Sequence, residues 1–496
     1  MIPVLLATTL AIHPFDLVHV DDPNYPGADA VSATGAVLLH PPAPGVPWRW
    51  ETVPEVDDAP PSEAMDAMNV GAWHALGARG QGVKVAVFDL QWFGAGLAPT
   101  VLGDVATQDC YASPTCELPM DTLRPRFSFE EGVHGYACAQ VVHDIAPDAQ
   151  LYLVRVNGQT TLENATDWAI RNGIDVVSMS LSFFNASFYD GTGPISAQID
   201  KLAAAGVLLV VSSGNYAQAH WSGPFTDAGD GRMLFDGSPG LWIHLPAGSA
   251  RGIYVNWNQH AACGQTDLDA YLYDSDGNLV DRSEDPQVAS ADRCAPVERL
   301  TGTVAEDGWY RLEVVWRRGS TVDLDVDVLA TNGSIAWARP AGSIADPGSS
   351  PNAFTVGAVR ATGYLTNDVE SFSSQGPTHA GLGKPDIAGP DGATTVAYGA
   401  RGFYGTSASA PAVAGAIALA MSDDPTLTPW QAAHRLQGWA AGDPVGPWRS
   451  DPRWGAGRAR LPDPDATATA GGCGHGRLLL PLFLPPLFFR RRRRRA

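Results

Sequence analysis

Three residues far apart in the chain have the side chains that nucleophilic catalysis requires. Ser407 lies in Gly405-Thr406-Ser407-Ala408-Ser409-Ala410-Pro411, after a glycine and before a helical pattern, so its hydroxyl is predicted at a helix N-terminus. A serine hydroxyl is a weak nucleophile near neutral pH, and it needs a base, a group that orients the base, and donors for an oxyanion. A serine at a helix start is more often only a cap, so the other parts must be found.

His134 and Asp89 are the candidates for the base and for its orienting group. His134 and Gly135 begin a helical stretch, and Asp89 ends the apolar strand 83–88. Open parallel sheets place their ligand-facing groups at this end of a strand. Taken singly, His134 reads as a surface histidine and Asp89 as a turn former. The chain order Asp, His, Ser, however, is one of the known orders of a Ser-His-Asp triad, and that order occurs on an α/β sheet.

Strands and helices alternate around these residues, which predicts an α/β fold with a doubly wound, mainly parallel sheet. The predicted strands are 83–88, 151–156, 174–179, 207–211 and 353–359. The predicted helices are about 161–172, 195–205, 408–421 and 428–440.

An all-β pattern separates the two halves of this fold. Alternating strands at 268–273, 309–315 and 322–328 predict an inserted β-sandwich over 220–340. Aspartates alternate along its strands, at Asp267, Asp269, Asp323, Asp325 and Asp327, with Asp274 and Asp276 in a turn. Calcium favours such oxygen ligands, and structural calcium is one interpretation. Solvated outer faces of an acidic extracellular sandwich are the other.

Length and charge limit the function classes. A chain of 496 residues exceeds what one core usually organises, so two or three domains are expected. The formal net charge of −21 argues against nucleic acid as a partner, because binding to phosphates needs clustered cations. The dense basic run is confined to Arg490–Arg495 at the C-terminal end.

Both ends of the chain suggest export. Residues 1–19 are predicted to be a signal peptide, although a buried N-terminal strand or a misassigned start would also explain the apolar stretch. Residues 20–65 show no sustained hydrophobic periodicity and are interpreted as a leader or pro-segment. At the other end, a linker over 463–476 leads to an apolar and arginine-rich tail over 477–496. The apolar run is too short for a stable membrane span.

Six cysteines allow three disulfides in an oxidising compartment. Proximity in sequence favours Cys110 with Cys116 and Cys263 with Cys294. Cys138 lies four residues after His134 in a predicted helix, and we interpret it as a small buried residue without a redox role.

The sequence resembles the subtilisin-like serine peptidases over roughly 70–219 and 341–461. Five motifs carry the resemblance: Val85-Ala86-Val87-Phe88-Asp89, His134-Gly135, Met179-Ser180-Leu181-Ser182, Ser213-Gly214-Asn215, and Gly405-Thr406-Ser407 with Ala410-Pro411. The segments 372–377 and 384–387 are also similar to the family. The fold that the resemblance implies agrees with the predicted sheet.

The resemblance implies a role for each motif. Ser407 would attack a peptide bond, His134 would transfer the proton, and Asp89 would fix the imidazole tautomer. Asn215 and the Ser407 backbone N–H would bind the oxyanion. The segments Ser180-Leu181-Ser182 and Ser213-Gly214 would bind substrate, and no cofactor is required for the chemistry. Ser182 replaces a glycine that is usual in the family, so the subsite preference cannot be carried over.

Weaker resemblances concern the flanking segments. Residues 266–280 resemble β-sandwich modules of secreted bacterial peptidases, and the tail resembles bacterial sorting signals of the myxobacterial type with Cys473. Such a tail would contact the membrane before or after it is cut, and its arginines would stay in the cytoplasm. A disordered, frameshifted end is the alternative.

The expected protein is an exported or surface-held serine endopeptidase that acts on proteins or peptides. Its peptidase domain is predicted in two parts, 66–219 and 341–462. One alternative is a catalytically inactive scaffold of the same fold whose β-sandwich binds protein or glycan. Another is an enzyme of this fold with a carboxylate base, which His134-Gly135 argues against. The sequence does not predict the oligomeric state.

Overall fold

A computed structural model provides the structure of this protein. It describes residues 63–92, 99–103, 105–120, 132–184, 186–262, 264–287, 295–441 and 451–464, together with four short strands before residue 51. The chain divides into the units Met1–Leu461 and Pro462–Ala496, and the first carries the fold described below. Residues 1–17 of the predicted signal peptide, the tail and the cysteines Cys263, Cys294 and Cys473 lie outside the described residues. Within the described ranges, no helix is both long enough and apolar enough to cross a membrane.

The strands are numbered in chain order. They are β1 (Val18–Val20), β2 (Ala30–Val31), β3 (Ala36–Leu38), β4 (Arg49–Trp50), β5 (Lys84–Asp89), β6 (Ala106–Asp109), β7 (Gln150–Arg155), β8 (Val176–Met179), β9 (Leu208–Ser212), β10 (His220–Pro224), β11 (Leu241–Leu245), β12 (Ala250–Trp257), β13 (Thr266–Tyr273), β14 (Leu279–Ser283), β15 (Val297–Thr303), β16 (Gly308–Gly319), β17 (Asp325–Thr331), β18 (Ser334–Ile335), β19 (Ala353–Arg360), β20 (Ile387–Asp391), β21 (Ala393–Thr395) and β22 (Gly399–Phe403).

The helices are numbered in the same way. They are α1 (Glu63–Ala67), α2 (Val70–Ala75), α3 (Pro99–Leu102), α4 (His134–Ile145), α5 (Gln159–Arg171), α6 (Gly193–Ala204), α7 (Thr406–Asp423) and α8 (Pro429–Ala441), and a 3-10 turn covers His260–Ala262.

A seven-stranded parallel sheet is the centre of the fold. Its strand order is β20-β19-β9-β8-β5-β7-β6, and each neighbouring pair is parallel. One face is covered by a core that includes α4, α7 and α8, and the other by a core that includes α5 and α6. Strands β5, β8 and β9 are buried at nearly every position, as expected of strands covered on both faces. The predicted doubly wound α/β fold is confirmed.

Short strands lie in the region that the sequence suggests to be a leader. The strands β1 to β4 form a sheet in the order β2-β3-β1-β4. Periodicity did not predict them, because runs of two or three residues are too short to show an alternating pattern.

Two further antiparallel sheets are built from β10 to β18, which we call the antiparallel region. Their orders are β10-β17-β12-β15 and β14-β13-β16-β11-β18. Buried side chains from both sheets form one common core, which includes Trp221, Trp257 and Phe235. The additional sheets are consistent with an insertion between the two halves of the parallel sheet.

A buried ionic network connects the antiparallel region to the second half of the parallel-sheet fold. Asp327 on β17 accepts hydrogen bonds at Oδ2 from Nε2 of His220, at 2.7 Å, and from Nε2 of His379, at 2.8 Å. Nδ1 of His220 also faces an acceptor, the Arg339 carbonyl oxygen, at 2.6 Å. Because both ring nitrogens of His220 donate, its imidazole is a buried cation.

The pKa shifts agree with this assignment. Burial lowers the pKa of His220, but the Asp327 carboxylate outweighs burial and raises that pKa above its ordinary value of 6.5. Burial raises the pKa of Asp327, but the two imidazoles outweigh it and lower that pKa to about 2. The side chains of His220 and Asp327 are both fully buried, so the interaction is poorly screened by solvent.

We predict that Asp327→Asn destabilises the fold by about 3–5 kcal/mol, because it leaves the His220 cation buried and unpaired. In wild type, the pair contributes its full stabilisation of the folded state at pH values below the unfolded histidine pKa. This contribution is lost as pH rises through the raised pKa of His220 in the folded protein. It is lost again as pH falls below the unfolded aspartate pKa of 3.8 towards 2. Thermal unfolding of both proteins across this pH range measures the difference.

The control for this prediction is Asp325→Asn, since Asp325 lies on the same strand but is exposed. It should change the free energy of unfolding by no more than about 0.5 kcal/mol. The charged pair predicts that the free energies of unfolding of Asp327→Asn and wild type differ by an amount that changes with pH. If this difference is the same above and below the folded histidine pKa, the charged pair is contradicted.

Candidate active site

The aspartate and the histidine of the predicted triad meet directly. Asp89 is the last residue of β5 and is fully buried. Its Oδ2 accepts a hydrogen bond from Nδ1 of His134, the first residue of α4, at 2.7 Å. Its Oδ1 accepts the backbone N–H groups of Leu90 and Gln91, at 2.8 and 3.0 Å. The carboxylate is therefore held by backbone donors on one oxygen and orients the imidazole with the other.

The close approach of β5 and α4 requires a glycine after the histidine. A Cβ atom at Gly135 would lie 2.7 Å from the Asp89 Cβ and 2.9 Å from the Gln91 carbonyl oxygen. Both distances are shorter than real Cβ contacts allow, and neither neighbour is the end of a flexible chain. The Gly135 N–H also donates to the Gln91 carbonyl at 2.9 Å. The His-Gly pair in the sequence thus has a packing cause.

The environment of His134 favours its protonated form. Burial lowers the pKa of His134, but the Asp89 carboxylate outweighs burial and raises that pKa well above 6.5. The Phe403 ring packs edge-on against the imidazole, with the ring centroids 5.4 Å apart. About a fifth of the histidine side chain stays exposed, which leaves the imidazole accessible from solvent.

Ser407 lies in the first turn of α7, whose cap is Gly405. In the first turn of a helix the backbone N–H groups have no intrahelical acceptor, and the helix dipole is positive there. The Ser407 N–H is therefore a ready donor for negative charge, as expected from the sequence.

Asn215 is fixed against the same turn. Its Oδ1 accepts hydrogen bonds from the backbone N–H and from Oγ1 of Thr406, both at 3.0 Å. The amide oxygen is thus occupied, and the NH₂ end remains for a ligand. Gly405 adopts a φ of +107°, and a Cβ atom there would lie 2.9 Å from Asn215 Nδ2. A glycine is required both by this backbone conformation and by the close contact.

Ser407 and His134 are brought together through Cys138. The Cys138 Sγ lies 3.9 Å from His134 Nδ1 and donates to the Ser407 carbonyl oxygen at 3.5 Å. Among the described residues, no hydrogen bond joins the Ser407 hydroxyl to His134. Such bonds are often long in a free enzyme and shorten when substrate binds. Cys138 is a buried free cysteine, so the expectation of a small buried residue is confirmed.

The predicted substrate-binding residues fall into two groups. Ser180 donates from Oγ to the Ser407 carbonyl oxygen at 3.1 Å, and Leu181 and Ser182 follow it along the wall of a cavity. Ser213 and Gly214 are buried behind the site instead, and the Gly214 N–H donates to Thr406 Oγ1 at 3.2 Å. A direct contact of Ser213 and Gly214 with substrate stays a prediction.

The cavity has a volume of about 460 Å³ and lies where three neighbouring strands end. Its lining residues follow β5 (Leu90), β7 (156–159) and β8 (181–184 and Ala186), with Ile195 and Tyr254 completing it. Leu90 is adjacent to Asp89 in the chain, so the cavity continues from the candidate catalytic residues. This position is typical of ligand sites in open parallel sheets.

Sequence reasoning missed two residues that position the others. Asp391 ends β20 and accepts the Gly405 N–H at Oδ2, at 3.0 Å, so it anchors the turn before Ser407. Burial raises the pKa of Asp391 to about 6. Thr406 orients Asn215, as described above. Asp391 ends a short apolar run before Gly392, and this strand-ending position is the signal that could have identified it.

Two groups of metal-ligating side chains occur among the described residues. They are Asp89, His134 and Cys138, and His220, Asp327 and His379. The nitrogen–oxygen distances of 2.7 and 2.8 Å are hydrogen-bond distances, shorter than the roughly 3.3 Å between neighbouring ligands of tetrahedral zinc.

Two of the aspartates expected to bind calcium, Asp267 and Asp269, are paired with arginines. Asp267 accepts from Arg318 at 2.9 Å, and Asp269 pairs with Arg317. Calcium binding by these residues stays a prediction.

Comparison with known proteins agrees with this geometry. A sequence model of the Subtilase family matches residues 80–288 and 330–457. The serine protease AprX of Bacillus subtilis (strain 168) is 33% identical over 127 residues, which cover 21% of this chain and 28% of AprX. The minor extracellular protease Epr of the same strain is 29% identical over 155 residues, covering 29% of this chain and 21% of Epr. The chain therefore spans less than a third of the length of these relatives.

Among solved structures, the CspB protease of Clostridium perfringens is similar, with a TM-score of 0.54 over 82% of this chain and 98% of CspB. At 16% identity, this similarity supports the fold alone. The family match, in contrast, covers more than half of the chain and includes the segments of Asp89, His134 and Ser407. The chain belongs to the Subtilase family.

Proposed function

We propose that this chain is an exported serine endopeptidase that hydrolyses peptide bonds through an acyl-enzyme on Ser407. The observation that carries the proposal is the hydrogen-bonded pair of buried Asp89 and partly exposed His134, near the helix N-terminus of Ser407. A buried carboxylate that orients an imidazole next to a serine is the arrangement that activates a hydroxyl. Family membership supports protein or peptide substrates.

In the proposed mechanism, His134 takes the proton from the Ser407 hydroxyl as Oγ attacks the carbonyl carbon of the peptide bond. The imidazolium then gives this proton to the leaving amine, and the C–N bond breaks. His134 then takes a proton from a water molecule as its oxygen attacks the acyl carbon. The ester bond to Ser407 Oγ breaks, the imidazolium returns the proton to Oγ, and the acid is released. Asp89 accepts the Nδ1–H hydrogen bond and so holds this tautomer of His134.

Two donors are proposed to stabilise the oxyanion of each tetrahedral intermediate. One is the backbone N–H of Ser407, and the other is the Asn215 side-chain NH₂. Because Thr406 occupies the amide oxygen of Asn215, the amide enters the reaction already oriented. Preorganised donors of this kind need no reorganisation when charge develops.

The remaining assignments concern organisation and location. We propose that residues 220–340 form a β-sandwich inserted between peptidase parts 66–219 and 341–462, and that 20–65 is a pro-segment. The disulfide between Cys110 and Cys116 supports an oxidising compartment, and Epr is named as extracellular. The signal peptide over 1–19, the linker over 463–476 and the sorting tail over 477–496 complete this proposal.

We predict that Ser407→Ala abolishes both labelling by a fluorophosphonate probe and peptide cleavage, because the probe reacts with an activated serine hydroxyl. The matched control is Ser409→Ala on the same helix. Ser409 is buried and its hydroxyl has no hydrogen-bond partner in the described part of the chain, so the control should label as wild type does. In-gel fluorescence and mass spectrometry measure the labelling. Folded wild-type protein that does not label would favour the inactive scaffold.

We predict that the acid limb of kcat/KM lies above pH 6.5, because His134 must be neutral to accept a proton and Asp89 raises its pKa. Asp89→Asn removes the charge that raises this pKa, so the acid limb should move to lower pH. The Asp89→Asn substitution should also lower kcat by about 10⁴-fold, the loss measured for the equivalent change in a Ser-His-Asp triad. Steady-state kinetics across pH test both effects, and an acid limb that does not move would contradict the pairing.

We predict that Asn215→Ala lowers kcat by about 10²–10³-fold with little change in KM. This is the loss measured for an oxyanion asparagine in a subtilisin, and it reflects a donor that acts in the transition state. The control is Gln218→Ala, an exposed position three residues further along, which should behave as wild type. A raised KM with unchanged kcat would instead assign Asn215 to ground-state binding.

A further inference from the structure

We propose that Tyr254, a residue of the antiparallel region, is a specificity-determining residue of the substrate cleft. It would form one wall of the cavity described above, and this cavity would receive a bulky apolar side chain of the peptide substrate. The inference rests on the proposed peptidase function. It assigns to the antiparallel region a direct part in selecting the peptide.

The cavity adjoins the candidate catalytic residues on two sides. Leu90 lines it directly after Asp89, and Leu181 lines it directly after Ser180. Ser180 is itself bonded to the Ser407 carbonyl oxygen at 3.1 Å. A peptide held at Ser407 therefore extends along this wall within a few residues of the scissile bond.

Tyr254 reaches the cavity from β12, outside the parallel-sheet fold. Its ring lies against the Phe184 ring, with centroids 4.9 Å apart and an angle of 33° between the planes. Phe184 also packs edge-on against Tyr216, at 5.3 Å. Since Tyr216 follows Asn215 in the chain, a row of three aromatic rings runs from the oxyanion segment to the antiparallel region.

The position of the Tyr254 ring is restricted on its other side by Gly252. A Cβ atom at Gly252 would lie 2.8 Å from Tyr254 Cε2 and 3.1 Å from its hydroxyl oxygen. The Gly252 backbone N–H is fixed by Thr331 Oγ1 at 2.8 Å. The ring is thus held between Gly252 and Phe184, which makes it a rigid wall.

The lining of the cavity indicates the class of side chain that it accepts. Val156, Leu181, Phe184, Ile195 and Tyr254 contribute apolar surface, whereas uncharged polar groups come from Asn157, Gln159 and Ser182. None of the described lining residues is an acid or a base. A charged side chain entering the cavity would lose hydration without gaining a partner of opposite charge. An aliphatic or aromatic side chain would gain contact area at several walls. We therefore expect leucine or phenylalanine to be favoured over aspartate.

The test uses a fluorogenic peptide library in which each position flanking the scissile bond is varied in turn. Wild type should prefer Phe or Leu over Asp at one position away from the scissile bond. Tyr254→Ala should reduce this preference by about tenfold or more at that position alone. Peptides too short to reach the cavity should be cleaved by both proteins at similar rates.

Two further variants separate the ring from other effects. Tyr254→Phe keeps the ring and should keep the preference. Gly252→Ala keeps the tyrosine but displaces its ring, so it should weaken the preference as Tyr254→Ala does. Equal fluorophosphonate labelling rates in all variants would show that the triad is intact.

The outcomes distinguish this inference from the proposed function. Wild type that cleaves peptides without an apolar preference at any position away from the scissile bond would overturn the inference alone, whatever the variants do. The same holds if Tyr254→Ala is folded and active with an unchanged preference. Folded wild type that neither labels nor cleaves any peptide would instead overturn the peptidase function itself.

Discussion

The hydrogen bond between Asp89 and His134 is the constraint on which the site depends. A carboxylate buried at the end of a central strand is costly unless its oxygens are satisfied. Here two backbone N–H groups satisfy one oxygen and the imidazole satisfies the other. The bond also requires α4 to approach β5 so closely that Gly135 has no space for a side chain. The proposed catalytic arrangement also needs α7 beside α4, and these two helices pack within the same core.

Much of this arrangement was predictable from the sequence. The parallel sheet follows from long apolar strands that alternate with helices, and Asp89 follows from its position at a strand end. The orientation of Asn215 was not predictable, because it depends on Thr406, 191 residues away in the chain. Asp391 was missed for the same reason, since its role arises only where β20 and the turn at Gly405 meet. Local patterns identify elements, whereas contacts between distant segments determine which side chains orient others.

The antiparallel region is joined to the peptidase fold by interactions of two kinds. In the ionic network, Asp327 bonds both His220 and His379 through one carboxylate oxygen, and this contact fixes the region in place. The rings of Phe184 and Tyr254 lie against each other at the cavity and are partly exposed. The first contact accounts for attachment, and the second is the one that we propose to contribute to the substrate cleft. Because the two contacts involve different residues, substitutions at the rings could change the cleft without loss of the ionic network that attaches the region.

The most direct test of the central claim is a crystal structure of the full chain with a peptide boronic acid. Boron forms a covalent bond with an activated serine and presents an oxygen where the oxyanion would lie. We predict a bond between boron and Ser407 Oγ. The boronate oxygen should lie about 2.7–3.1 Å from both Asn215 Nδ2 and the Ser407 backbone nitrogen. A boronate bound to another residue, or an oxygen turned away from both donors, would contradict it.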